Sequence, residues 1–179
     1  PDEPSEALDE APAVTPDPPE CAPADAGLTA TDEQRRALDQ LLPALESPEA
    51  KMSLVHGVTG SGKTHIYLEL TRRALELGRS VLLMAPEVAL ASQLWRQVRL
   101  AFPEAEAYFS HGYQTPARRE QTFSRVAGAH GPVLVVGTRS ALFMPLRNLG
   151  QVVLEEEHDE TNKQEERLPY HAKELAFTR

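Results

Sequence analysis

Cysteine is almost missing: Cys21 stands alone among 179 residues. That excludes an intrachain disulfide and a cysteine-rich zinc site. The six histidines are scattered without ligand spacing, which removes a histidine zinc centre as well. There is no apolar stretch long enough to span a bilayer, and no positively charged start running into an apolar segment. A reducing, cytoplasmic setting without membrane attachment is the expectation. Lysine and arginine are missing from residues 1–27, which hold eight acids and seven of the fifteen prolines. So little apolar surface, with so much like charge, reads as a disordered linker. The net charge of −9 therefore belongs mostly to one end. Beyond residue 27, nineteen acids face eighteen bases, and overall charge does not exclude a nucleic-acid partner. The start at Pro1 and the stop at Arg179 within an apparent helix carry the expectation of a truncated domain over residues 28–179.

What the chain does have is Gly57-Val58-Thr59-Gly60-Ser61-Gly62-Lys63-Thr64, a full match to G-x-x-x-x-G-K-[ST]. Upstream, residues 52–55 form a short apolar run that predicts a buried strand. Downstream, Ile66, Tyr67, Leu70, Ala74 and Leu77 recur at helical spacing. Strand, glycine loop and helix together are the context a phosphate-binding loop requires. Gly57, Thr59, Gly60, Ser61 and Gly62 let backbone N–H groups turn towards phosphate oxygens, and the helix amino terminus adds favourable partial charge. Lys63 is placed to reach the β/γ-phosphates of ATP, and the Thr64 hydroxyl to ligate Mg²⁺.

The rest alternates between strands and helices. Thr31-Asp32-Glu33-Gln34 is a capping-box pattern that opens a helix, with Pro43 expected to end or kink it. Gln34 has two open readings: a cap for the helix, or the adenine-reading glutamine found ahead of the phosphate loop in many helicases. Residues 80–86, 105–109, 132–137 and 151–154 read as further strands, with helices between them. Trp95 falls on the apolar face of its helix and reads as core. Arg118, Arg119 and Arg125 read as solvated surface. The fold class is accordingly α/β, a mainly parallel sheet with helices on both faces. Ligands of such sheets sit at the carboxyl ends of the strands. The phosphate loop, Pro86-Glu87, Gly137-Thr138-Arg139 and the run Glu155-Glu156-Glu157-His158 all lie there. A carboxylate-tipped strand behind a phosphate loop supplies one acid for Mg²⁺ and another to orient or deprotonate the attacking water.

These motifs, with residues 86–90, 135–143, 148–150, 156–159, Lys163-Gln164 and Tyr170-His171-Ala172, resemble the PriA family of bacterial replication-restart helicases in superfamily 2. The resemblance runs from about Leu28 to Arg179. It implies a RecA-like P-loop NTPase lobe, the first of two, with ATP and Mg²⁺ as cofactors. Zinc is expected only on cysteines of a second lobe that is not in this chain. It implies Glu155 and Thr64 at the metal, and Glu156 and His158 as catalytic residues. It also implies Glu87, Thr138, Arg139, Asn162, Lys163 and Tyr170 in DNA contact or coupling. The implied partners are forked and single-stranded DNA, primosome proteins and single-stranded DNA-binding protein, met by a monomer at the bacterial nucleoid. Departures from the family pattern fall on hydrolysis and coupling. Glu155 replaces Asp, Asn162 replaces Tyr, Leu168 replaces Trp, Pro169 replaces Arg and His65 replaces Glu; Ser110-His111 exchanges the order His-Ser. They lead to the expectation of a DNA-binding restart protein with weakened or lost ATP hydrolysis and unwinding. An active 3′-to-5′ helicase and a scaffold with a vestigial nucleotide site are the alternatives.

Overall fold

The computed structural model describes residues 30–47, 49–58, 60–164 and 169–179. The expected linker over residues 1–27, its boundary at residue 28, Thr59 and Leu168 lie outside them. The described chain opens with α1 (Asp32–Glu46), whose capping box is complete: the Thr31 hydroxyl accepts from the Gln34 N–H, and the Gln34 side chain accepts from the Thr31 N–H. Pro43 does not end this helix. It sits in the last turn, where only one backbone bond is forfeited before the chain leaves the helix at Ser47. Next come α2 (Lys63–Glu76), β1 (Ser80–Met84), α3 (Val88–Ala101), β2 (Ala107–Ser110), α4 (Pro116–Gly128) and β3 (Leu134–Gly137). A 3-10 turn over Arg139–Phe143 leads to β4 (Leu149–Leu154), followed by a small hairpin of β5 (Lys163–Gln164) and β6 (Tyr170–His171), then α5 (Ala172–Phe177).

The main sheet has the order β2-β3-β1-β4, and every pairing in it is parallel. Alternation along β1 explains the layering. Val81 and Leu83 point into a cluster with Leu38, Ile66, Leu70, Leu94 and Val98, from α1, α2 and α3. Leu82 and Met84 point the other way, into Val126, Leu142, Met144 and Ala172. Helices therefore cover both faces, which is why β1 and β3 read as unbroken apolar runs. Trp95 packs against the first cluster, its ring stacked 5.8 Å from that of Phe109. Arg118, Arg119 and Arg125 are exposed.

One expected strand does not form. Residues 52–55 join neither sheet, with Met52 57% and Leu54 73% exposed, and only Val55 packs on the core. A strand in this sheet needs cover on both faces, and this run offers an inward side chain at one position only. β4 is consequently an edge strand among the described residues, its Val152, Val153 and Leu154 half-buried.

Backbone bonds carry the sheet one step past its strands. The N–H groups of Ala85, Thr138 and Glu155 donate to Gly137, Ser110 and Met84 at 3.1, 3.1 and 2.8 Å. Gly137 is required there: a β-carbon would lie 2.0 Å from the Ser110 carbonyl oxygen. The three residues that follow the strands are thereby held side by side at the carboxyl edge.

Candidate nucleotide site

Gly60 and Gly62 take φ of 81° and 79°, the left-handed region that favours glycine. A β-carbon on Gly62 would meet Gln34 Nε2 at 2.2 Å, so the glutamine side chain would have to shift. The loop is tied to itself and to α1. The Ser61 N–H donates to the Val58 carbonyl at 3.1 Å, Lys63 Nζ donates to the Gly57 carbonyl at 2.7 Å, and Gln34 Nε2 donates to the Ser61 carbonyl at 3.2 Å. The capping reading of Gln34 is realised through Oε1, while Nε2 ties the cap to the phosphate loop. α2 begins at Lys63 with no acid in its first turn, so its amino-terminal partial charge is uncompensated.

Opposite stands the end of β4. Glu155 is half-buried, and its carboxyl is raised above the ordinary glutamate range by burial first and Glu156 second, with Lys63 opposing. The Tyr67 hydroxyl is pushed up to about 12 by burial, then by the charges of Glu155 and Glu156. Those mutual influences bring Lys63, Tyr67, Glu155 and Glu156 into one electrostatic environment. Tyr67 was legible only as helix core, although it follows Lys63 by one helical turn and shares its face.

The remaining candidates divide. His158 is exposed, with Nε2 3.7 Å from the Glu156 carboxylate. Thr64 is half-buried in the first turn of α2, and Glu87 is the exposed amino cap of α3. Thr138 is half-buried at the end of β3. The Arg139 guanidinium donates to the Thr161 and Lys163 carbonyls at 2.5 and 2.6 Å and lies 5.8 Å from the Tyr170 ring centre. Tyr170 also meets Phe143 edge-on at 5.3 Å. Lys163 is exposed on β5, paired with His171. Asn162 is only 4% exposed, and its Nδ2 donates to the Glu156 carbonyl at 3.1 Å. Its short amide folds back onto the turn below it, where a tyrosine would have to project outward.

The phosphate loop suits a nucleotide. Two left-handed glycines and a lysine at the helix amino terminus are phosphate-binding features. Among the described residues no three His, Cys, Asp or Glu side chains cluster closely enough to hold a metal by themselves. Such a site leaves room for oxygens supplied by a phosphate, the usual arrangement for Mg²⁺.

A parallel sheet with its phosphate loop and acidic strand end at one edge defines a P-loop NTPase lobe of RecA-like form. The chain belongs to the DEAD/DEAH box helicase family, whose model matches residues 31–178. Within it the chain is PriA-like. It is 40% identical over 152 residues to the replication restart protein PriA of Bacillus subtilis (strain 168), covering 85% of this chain and 19% of that protein. To PriA of Chlamydia muridarum (strain MoPn / Nigg) it is 39% identical over 153 residues, covering 84% and 20%. The chain thus spans about a fifth of the length of these relatives. The solved structure of RecG bound to a three-way DNA junction superposes with a TM-score of 0.60 at 22% identity, covering 71% of this chain and 21% of RecG, a likeness of fold. No described helix is long and apolar enough to cross a membrane.

Proposed function

We propose that this chain is the nucleotide-binding lobe of a PriA-type replication-restart protein that binds forked and single-stranded DNA and supports primosome assembly. ATP binds through the 57–64 loop, with Lys63 on its phosphates and Thr64 and Glu155 on Mg²⁺. Glu156, with His158 beside it, addresses the attacking water. Nucleotide and metal supply the leaving group and its charge neutralisation; the protein positions and desolvates them. The observation that carries this reading is the loop geometry, with left-handed Gly60 and Gly62 leading into Lys63 at the start of α2.

Hydrolysis is proposed to be slow, for two reasons. Glu155 stands a methylene longer than the family's aspartate, at a position anchored by its own backbone bond to Met84. The loop after it lacks the family's aromatic face at Asn162, and Pro169 brings neither a positive charge nor a backbone donor. The test is ATPase rate in the full-length protein with and without forked DNA. Little turnover and little stimulation are expected. Tenfold stimulation, about 1.4 kcal/mol of barrier, would return the reading to an ordinary DNA-driven helicase. If a folded protein shows no nucleotide affinity, the scaffold alternative is correct.

A further inference from the structure

Among the described residues only two non-glycines take positive φ: Asn148 at 48° and Glu156 at 49°. Asparagine tolerates that region because its short amide bonds locally. Glutamate does not share that excuse, and strain of this kind persists only where surrounding contacts over-determine it. Those contacts are present. The Glu156 carbonyl accepts twice, from the Asp159 N–H at 2.9 Å and from Asn162 Nδ2 at 3.1 Å. The Asn162 N–H returns to the Asp159 carbonyl at 3.0 Å. Asp159 Oδ1 accepts from both the N–H and the hydroxyl of Thr161, at 2.8 and 2.6 Å. From the end of β3, Arg139 donates to the carbonyls on either side of Asn162.

We propose that Asn162 is a positioning residue for Glu156: its buried amide holds the left-handed turn that presents the Glu156 carboxylate, and Arg139, which follows β3, holds the backbone on both sides of it. This rests on the reading of Glu156 as the residue that addresses water. It assigns Asn162 a task unrelated to DNA contact. Among the described residues, this amide is the side chain that donates to the Glu156 carbonyl. Without it the turn relaxes towards ordinary φ, which redirects the carboxylate, and a displacement of about 1 Å can cost on the order of a hundredfold in rate.

The experiment uses the full-length protein, with Asn162→Ala and Asn162→Asp each made in the wild-type and the Glu155→Asp backgrounds. Asn162→Asp keeps the size but replaces the donor with an acceptor facing a carbonyl. Turnover, KM for ATP, thermal midpoint and hydrogen exchange across residues 156–162 are measured together. Expected is a fall in kcat of about tenfold or more for both variants, with KM changed less than about twofold, the pattern of lost transition-state positioning. Exchange at the Asp159 and Asn162 amides should quicken. Either Asn162 variant turning over at the parental rate, in a background with measurable hydrolysis, overturns the proposal. A matching rise in KM also overturns it, since that signals lost binding. If neither background hydrolyses ATP, the parent reading fails by itself; exchange then decides the clamp, and unchanged protection in a folded Asn162→Ala protein refutes it.

Discussion

Replacing Glu155 by aspartate isolates the effect of one methylene. The backbone of Glu155 is fixed, because its N–H donates to the Met84 carbonyl at 2.8 Å and extends the β1–β4 ladder by one residue. The substitution therefore leaves the Cα in place and withdraws the carboxylate by about one C–C bond, roughly 1.5 Å. Misplacement of that order is worth up to about a hundredfold in rate, or about 2.7 kcal/mol. Since the change affects positioning rather than phosphate contact, the gain should appear in kcat and leave KM nearly constant. We expect Glu155→Asp to raise ATP turnover by about ten- to a hundredfold, measured in the full-length protein at saturating ATP and Mg²⁺. Equal turnover in the two proteins refutes the reasoning. Any weakness in hydrolysis would then belong to Pro169 or the loop around it.

Three further outcomes follow from the same geometry. Lys63→Ala removes a charged donor from the phosphate loop, and calorimetry should show nucleotide affinity lowered by about 1.5–3 kcal/mol; equal affinity would remove the loop from the proposed site. Ser80 is 2% exposed, with its hydroxyl donating to the Arg147 carbonyl at 2.7 Å and accepting from the Val133 N–H at 3.1 Å. Ser80→Ala orphans both groups and should cost about 2–4 kcal/mol, read as a lowered midpoint in chemical denaturation, whereas an unchanged midpoint would mean water satisfies them. Finally, the raised Glu155 carboxyl favours its neutral form, so its stabilisation is complete below the ordinary glutamate range and is lost as pH rises through the raised value. Glu155→Gln should accordingly be more stable than wild type at neutral pH by a margin that shrinks towards acid; a margin constant with pH would contradict the burial argument.

Much of the fold was legible because its signals are local. The capping box at Thr31 and Gln34, the Pro116 that opens α4 and the four apolar strand cores all appear where their short-range chemistry directs. The run before the phosphate loop misled because four residues cannot reveal whether a neighbour will cover both faces. Only tertiary context tells a buried strand from a segment with one inward side chain. In the site, Lys63 and the acids were readable from spacing and from the rule that ligands gather at carboxyl edges. Asn162 was not. Its position in a family pattern said what a tyrosine there would do, while the asparagine present folds inward and bonds to Glu156. Tyr67 was hidden for a different reason: its apolar ring satisfied the helix periodicity, and periodicity is silent about the hydroxyl.

The geometry also bears on how an intact phosphate loop could coexist with the slow hydrolysis proposed above. Lys63 donates to the Gly57 carbonyl and Gln34 to the Ser61 carbonyl, which ties the loop to itself and to α1. Binding a phosphate exchanges a neutral acceptor of Lys63 for a charged one, a favourable trade for that donor. Nothing comparable draws Glu155 into place. Its half-buried carboxyl already resists ionisation through burial and through Glu156, and only Lys63 favours the charged form. The shift makes Glu155 easier to protonate than an ordinary glutamate, and a bound Mg²⁺ would favour its charged form. Metal affinity and carboxylate ionisation are thus coupled at this position, and proton competition should weaken Mg²⁺ dependence more steeply here than in Glu155→Asp. A plot of turnover against Mg²⁺ at several pH values tests that coupling; parallel curves for the two proteins would show that Glu155 ionises independently of the metal.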